Sequence, residues 1–91
     1  MQLQFSFIIP VYNRPNEIQE LLQSFVALET NTKFEIVIIE DGSEKTSKAV
    51  INSFKDKLNI AYFFKENSGP GDSRNFGMRN ASGNYFILSL I

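Results

Sequence analysis

The sequence predicts an α/β fold, a doubly wound and mostly parallel sheet in the order β-α-β-α-β-α-β. Three observations predict it. Four short stretches rich in β-branched and aromatic residues alternate with segments of helical period, the pattern of strands joined by crossover helices. The second stretch, Phe34-Glu35-Ile36-Val37-Ile38-Ile39, closes on four consecutive β-branched apolar residues, as a strand covered on both faces requires. The first two stretches end in turn segments, Pro10-Val11-Tyr12-Asn13 and Glu40-Asp41-Gly42-Ser43, each where an extended run gives way to a helix-like one. In an open parallel sheet both turns lie at the carboxyl ends of strands, where ligands bind.

Each element has its own justification. Phe5 to Val11 is rich in β-formers, and Pro10 stands near its end, where a missing N–H does little harm. Asn13-Arg14-Pro15 offers a helix start, with Pro15 in the first turn and Glu17 close behind. Ile18, Leu21, Leu22, Phe25 and Val26 then form a wide apolar stripe of helical period, which Thr30-Asn31-Thr32 breaks. After the second strand, Asp41-Gly42-Ser43 is a turn. Ser43 is expected to cap a helix whose inner face is Val50, Ile51 and Phe54. Ile60 to Phe64 is a third strand, Asn67 to Gly71 a loop, and Asp72 to Ala81 a short helix. Ser82-Gly83 is expected to end that helix through a left-handed glycine, and Tyr85 to Ile91 is the fourth strand. The crossovers are right-handed. With no repeat, linker or boundary in sight, residues 1–91 form one domain.

Composition narrows the function. The 43% apolar and 21% charged fractions are ordinary for a soluble globular chain, and a net charge of −1 gives no reason to expect nucleic acid or an anionic membrane as partner. There is no cysteine, hence no disulfide framework and no thiolate zinc site. There is no histidine either, so acid–base or metal chemistry falls to carboxylates. Met1-Gln2-Leu3-Gln4 carries no positive side chain and does not resemble a signal peptide. The longest apolar runs are far short of the ~20 residues of a membrane-spanning helix. These features together lead to the expectation of a cytoplasmic chain with no membrane segment.

Three local motifs can carry chemistry, and each also has a plain structural explanation. Tyr12 could lay its ring against a flat base, or simply cover the sheet edge while Asn13 caps a helix. Asp41 could accept from a ribose hydroxyl or a base imide N–H, with Gly42 letting the ligand approach, or the pair could be an ordinary Asp-Gly turn. Glu40 beside them could solvate the turn or pair with a cation. Gly69-Pro70-Gly71 with Arg74-Asn75 opens a helix that could face an anion, Arg74 adding a fork suited to phosphate oxygens. It lacks the lysine and hydroxyl ending of a P-loop, and the first strand is followed by no glycine-rich dinucleotide fingerprint.

Taken together and in this order, the motifs resemble the N-terminal half of the catalytic domain of family 2 glycosyltransferases. The matching blocks are Phe7-Ile8-Ile9-Pro10-Val11-Tyr12-Asn13-Arg14, Ile36 to Ser43 with Glu40 in place of the usual first aspartate, Asn67 to Gly77, and Ala81-Ser82-Gly83-Asn84-Tyr85. The resemblance implies a three-layer, Rossmann-like sheet of the GT-A type and an inverting enzyme that uses a nucleoside diphosphate sugar, most often a UDP-sugar. By the same resemblance Pro10 and Tyr12 line the base pocket, Asp41 and its neighbour Gly42 meet the base, and Arg74 lies toward the sugar diphosphate. The parent enzymes use Mn²⁺ or Mg²⁺. Here the expected metal motif near position 90 is replaced by Phe86-Ile87-Leu88-Ser89-Leu90-Ile91, without a carboxylate. A truncated, inactive nucleotide-binding half, with no metal ligand and no catalytic residue of its own, is therefore expected.

Two other readings compete. One is a non-catalytic module that forms a homo-oligomer or binds a partner through an exposed terminal strand. The other is a flavodoxin- or receiver-like signalling domain, which the absence of a late lysine and of a second acid beside Asp41 disfavours.

Overall fold

The computed structural model of the chain describes residues 4–28 and 32–88. Seven elements run in the predicted order: β1 (Phe5–Val11), α1 (Pro15–Ala27), β2 (Phe34–Asp41), α2 (Lys48–Asn52), β3 (Ile60–Lys65), α3 (Pro70–Asn80) and β4 (Tyr85–Leu88). The strands form one parallel sheet in the order β3-β2-β1-β4. The chain therefore steps outward from β1 to β3, then returns to lay β4 on the far side of β1. A flavodoxin- or receiver-like sheet would place β3 beside β1, so strand order excludes that reading.

The period of two along the strands divides the core between two helical layers. Ile9 and Val11 of β1 and Ile36 and Ile38 of β2 face α1 and α2, where they meet Ile18, Leu22, Ile51 and Phe54. Ile8, Val37 and Ile39 face α3, against Phe76, Met78 and Ala81. Each fully buried Ile or Leu contributes about 1.5–3 kcal/mol relative to exposure, so the β1–β2 pair anchors the domain. The α3 layer has few large apolar residues and relies on close approach. Gly77 supplies it: a Cβ there would lie 2.6 Å from Ile39 Cδ1 and 2.7 Å from Ile8 Cγ2.

A carboxylate-centred contact closes the amino-terminal side of the sheet. Glu35 of β2 is buried and accepts from Ser6 Oγ at 2.6 Å, from the Ser82 N–H at 2.5 Å and from the Gly83 N–H at 3.0 Å. It ties β1, β2 and the α3–β4 turn together at one point.

Several expectations need correction. Val26 is not part of the packed stripe but 44% exposed, because α1 faces the sheet through Ile18 and Leu22. Ser43 does not cap α2, which begins later, at Lys48 behind Ser47, and has no side-chain cap. The end of α3 is not a left-handed glycine either. Ala81 is extended, at φ −79° and ψ 148°, and the positive-φ glycines among the described residues are Gly42 and Gly69. Gly83 is small for a different reason, since a Cβ there would strike Ser6 Oγ and come within 2.6 Å of the Gln4 carbonyl. Thr30, Asn31 and the Ser89–Ile91 end of the expected fourth strand lie outside the described residues.

Candidate functional site

Strand order alone locates a crevice. The chain reverses direction at β1, and ligands in open α/β sheets bind at such a switch point, outside the carboxyl ends of the strands. Pro10 pairs with Ile39 and Val11 with Glu40, so Tyr12, one residue beyond β1, comes beside the end of β2 at Asp41. Pro10 is half-buried, while Tyr12 is 53% exposed. The structure thus brings Pro10, Tyr12, Asp41 and Gly42 to one rim.

Asn13, the next residue, adopts φ 53°, a left-handed conformation that asparagine tolerates better than most side chains. It does not cap α1; Arg14 holds that position, without a side-chain cap. Instead the Asn13 side chain reaches the neighbouring turn, where Oδ1 accepts from the Glu44 N–H at 2.8 Å and the Lys45 N–H at 3.0 Å.

Asp41 is buried rather than open to solvent. Its Oδ1 accepts from Lys65 Nζ at 2.9 Å and from the Ser68 N–H at 2.8 Å, and its Oδ2 accepts from the Gly69 N–H at 3.0 Å. Burial pushes this carboxyl up, but the Lys65 ammonium and the two backbone N–H groups outweigh it and hold the group below its ordinary range. Asp41 is therefore the anchor of the β3–α3 loop. A carboxylate offers about four acceptor positions; three are taken, and one remains on Oδ2. Gly42, at φ 71°, permits the same docking from the backbone side, since a Cβ would lie 2.7 Å from Asn67 N. Asn67 Nδ2 in turn donates to the Asp41 carbonyl at 3.0 Å.

Arg74 lies on α3 one turn from the helix start and is half-buried. The one ion pair among the described residues is Lys65–Asp41, so the Arg74 guanidinium is not neutralised by an acid there. Gly69, at φ 98°, precedes Pro70 at the start of α3, and no side chain caps that end. Arg74 sits on α3, a different element from Tyr12 and Asp41.

Glu40 departs furthest from its sequence reading. It neither solvates the turn nor pairs with a cation. It is fully buried, and its Oε2 accepts from Ser43 Oγ at 2.5 Å while its Oε1 accepts from the Ser47 N–H at 2.6 Å and from Tyr62 Oη at 3.2 Å. Burial, and then the charge and hydrogen bond of Glu40, push the Tyr62 phenol up to about 12. Lys65 was likewise not singled out by sequence reasoning. For Glu40 the available signal was an acid flush with the apolar run of β2, followed by the small hydroxyl residues Ser43 and Ser47 in the turn.

The carboxylates at this rim do not fit a divalent cation. Glu40 is committed to three internal donors and Asp41 to three more, one of them an ammonium. Among the described residues no three acidic side chains cluster as a metal site. No step through a metal is therefore assigned to these residues.

The sheet, its switch-point crevice and the motif blocks have a common explanation in the family comparison. The model of glycosyl transferase family 2 matches residues 6–89. The chain belongs to that family. Among its relatives, an uncharacterized glycosyltransferase of Rickettsia typhi is 42% identical over 89% of this chain and 24% of its own length. The poly(ribitol-phosphate) β-N-acetylglucosaminyltransferase TarS of Staphylococcus aureus is 31% identical over 94% of this chain and 16% of its own length. The chain thus spans about a quarter or less of these curated relatives. The crystal structure of TarS 1–349 in complex with UDP superposes with a TM-score of 0.85, covering 99% of this chain and 27% of that one. A mannosyltransferase of Pyrobaculum calidifontis, in complex with GDP-Man and Mn²⁺, superposes equally well at 0.85 but is 19% identical, so it speaks for the fold alone. The four-stranded parallel sheet of this chain is thus shared with solved glycosyltransferases.

Proposed function

We propose that this chain is the nucleotide-sugar-binding part of an inverting family 2 glycosyltransferase and that it seats the base of a UDP-sugar between Tyr12 and Asp41. The observation that carries the reading is where the two residues stand: Tyr12 directly follows β1 and Asp41 ends the paired strand β2, the first exposed and the second buried and ionised with one acceptor position to spare. The ring stacks on the base, and Oδ2 of Asp41 accepts its imide N–H. Pro10 and Gly42 wall the pocket, and Arg74 extends toward the diphosphate. The UDP complex of TarS, a relative at 31% identity, supports the choice of nucleotide.

Mn²⁺ or Mg²⁺, where a longer family member binds it, would be held by residues other than those at this rim and would supply charge neutralisation at the diphosphate. The chain by itself binds the nucleotide without transferring sugar, and it does so in the cytoplasm.

Titrating the 91-residue chain with UDP, followed by NMR, is expected to shift the Tyr12, Asp41 and Gly42 signals, with little response to added Mg²⁺. Tyr12→Ala is expected to weaken binding at least about fivefold, since base–aromatic stacking contributes about 1–3 kcal/mol. Stability should stay unchanged, because the ring is 53% exposed. Equal affinity in the variant, or no shift at millimolar UDP, would sink the reading.

One observation favours a second role. Tyr85 and Leu88 are 55% and 51% exposed along β4, which has no neighbour on its far side among the described residues. Such an edge is a template for pairing with a second copy. Light scattering on a concentration series should then report dimers, and a constant monomer mass would exclude this role.

A further inference from the structure

We propose that Glu40 is a positioning residue for Tyr12: through Ser43 and Asn13 its buried carboxylate fixes the turn that presents the aromatic ring. The inference rests on the nucleotide reading above and adds a residue that the motif comparison left without a role.

The connection is continuous. Ser43 Oγ donates to Glu40 Oε2 at 2.5 Å, and the Asn13 N–H donates to Ser43 Oγ at 2.8 Å. A hydroxyl has one proton. With that proton committed to Glu40, the Ser43 lone pairs are held in the direction from which Asn13 approaches. The carboxylate is itself pinned from its other side by the Ser47 N–H at 2.6 Å, to which Tyr62 Oη adds only a longer, weaker contact at 3.2 Å. The Asn13 N–H belongs to the planar peptide group that it shares with the Tyr12 carbonyl. Fixing that N–H fixes the peptide plane, hence the ψ angle of Tyr12 and the direction in which its side chain leaves the backbone.

The ring needs this control from the backbone. At 53% exposure, packing against neighbours leaves much of it unsupported. Asn13 also holds φ 53°, a conformation that persists when surrounding contacts over-determine it. Its Oδ1 bonds to the Glu44 and Lys45 N–H groups make the second tie between the two turns. Glutamate is long enough to span Ser43, Ser47 and Tyr62 at once from the end of β2.

The test compares two variants that each delete one donor to the same carboxylate, only one of which lies on the path to Tyr12. Ser43→Ala breaks the path; Tyr62→Phe leaves it intact. With UDP as probe, Ser43→Ala is expected to raise Kd about tenfold, the size of one well-placed hydrogen bond, while Tyr62→Phe stays within about twofold. Ser43→Thr, which keeps the hydroxyl, should restore the wild-type value. Without ligand, Ser43→Ala should speed hydrogen exchange of the Asn13 amide and shift the Tyr12 ring signals, and Tyr62→Phe should do neither. Equal effects of the two variants, in proportion to lost stability, would show a structural role only and overturn the proposal. Should the wild-type chain fail to bind UDP, the nucleotide reading falls. The ligand-free signals then still decide the relay: movement in Ser43→Ala alone sustains it, and none overturns it.

Discussion

Glu40→Ala is expected to destabilise the chain by about 3–5 kcal/mol, a large share of the 5–15 kcal/mol typical of a whole domain. The substitution removes the acceptor of a buried hydroxyl, a backbone N–H and a phenol together, at a position with no solvent exposure. Each donor left buried without a partner costs about 1–3 kcal/mol, and little water can enter to replace the carboxylate. Glu40→Gln is expected to cost less, about 1–2 kcal/mol. The amide oxygen can still serve Ser47 and Tyr62, but its NH₂ would meet a Ser43 hydroxyl that already accepts from Asn13. Urea unfolding followed by circular dichroism orders the two variants, and a cost below 1 kcal/mol for alanine would refute the account. The same cluster sets an alkaline limit. The Tyr62 phenol titrates at about 12 when folded and at 10.0 ordinarily, so the folded state holds its proton more tightly. Its contribution is complete below pH 10.0 and fades as pH rises through about 12. Wild type should therefore lose stability across that window, and Tyr62→Phe should lose less.

Glu40 also marks the boundary of what the sequence discloses. The strands were legible because burial on both faces demands continuous β-branched residues, as in Ile36 to Ile39, and because α1 carries its helical stripe openly. The strand ends were legible because Pro10 and the Asp41-Gly42 turn punctuate the apolar runs, although each turn also has a plain structural use. The partners of buried polar groups were not. Ser43 has the composition of a helix cap, and local sequence cannot tell that its proton goes back to Glu40 while its lone pair serves Asn13, 30 residues away. Asp41 shows the same gap. Its position at the end of β2 followed from the apolar run before it, but Lys65 and the Ser68 and Gly69 N–H groups reach it only through the parallel pairing of β2 with β3. Long-range hydrogen bonds of this kind depend on register, which appears once the sheet is assembled. The end of α3 failed for a related reason. Gly83 has the composition of a C-cap, yet it is small because Ser6 and the Gln4 carbonyl crowd its Cα.

Gly77→Val is the other substitution with a large expected effect, about 3 kcal/mol or more, because it combines overpacking with a β-branched side chain inside a helix. Propensity alone points the other way. Glycine inside a helix costs about 0.8–1.0 kcal/mol relative to alanine, so a free surface position would gain from substitution by any residue other than proline. Space decides the sign. A Cβ at Gly77 lies 2.6 Å from Ile39 Cδ1, the end of a side chain that can turn, and 2.7 Å from Ile8 Cγ2, which is fixed to a branched carbon in the central strand. The second contact has no easy relief, so α3 must lift from the sheet. Gly77→Ala should then cost about 1–3 kcal/mol despite its better propensity, and valine more. Gly71 provides the control: it lies in the first turn of the same helix with nothing within 4 Å of its Cβ position. Gly71→Ala should be neutral or stabilising by up to about 1 kcal/mol. The displacement has a consequence at the rim. When α3 lifts, its amino end carries Gly69 and Ser68 away from Asp41, so their amide signals should shift in Gly77→Ala and stay in place in Gly71→Ala. Unfolding curves read the first effect and amide spectra the second. Should Gly77→Ala stabilise the chain, the close approach of α3 to Ile8 and Ile39 is wrong, and with it the argument that a small residue, rather than an apolar stripe, seats this layer.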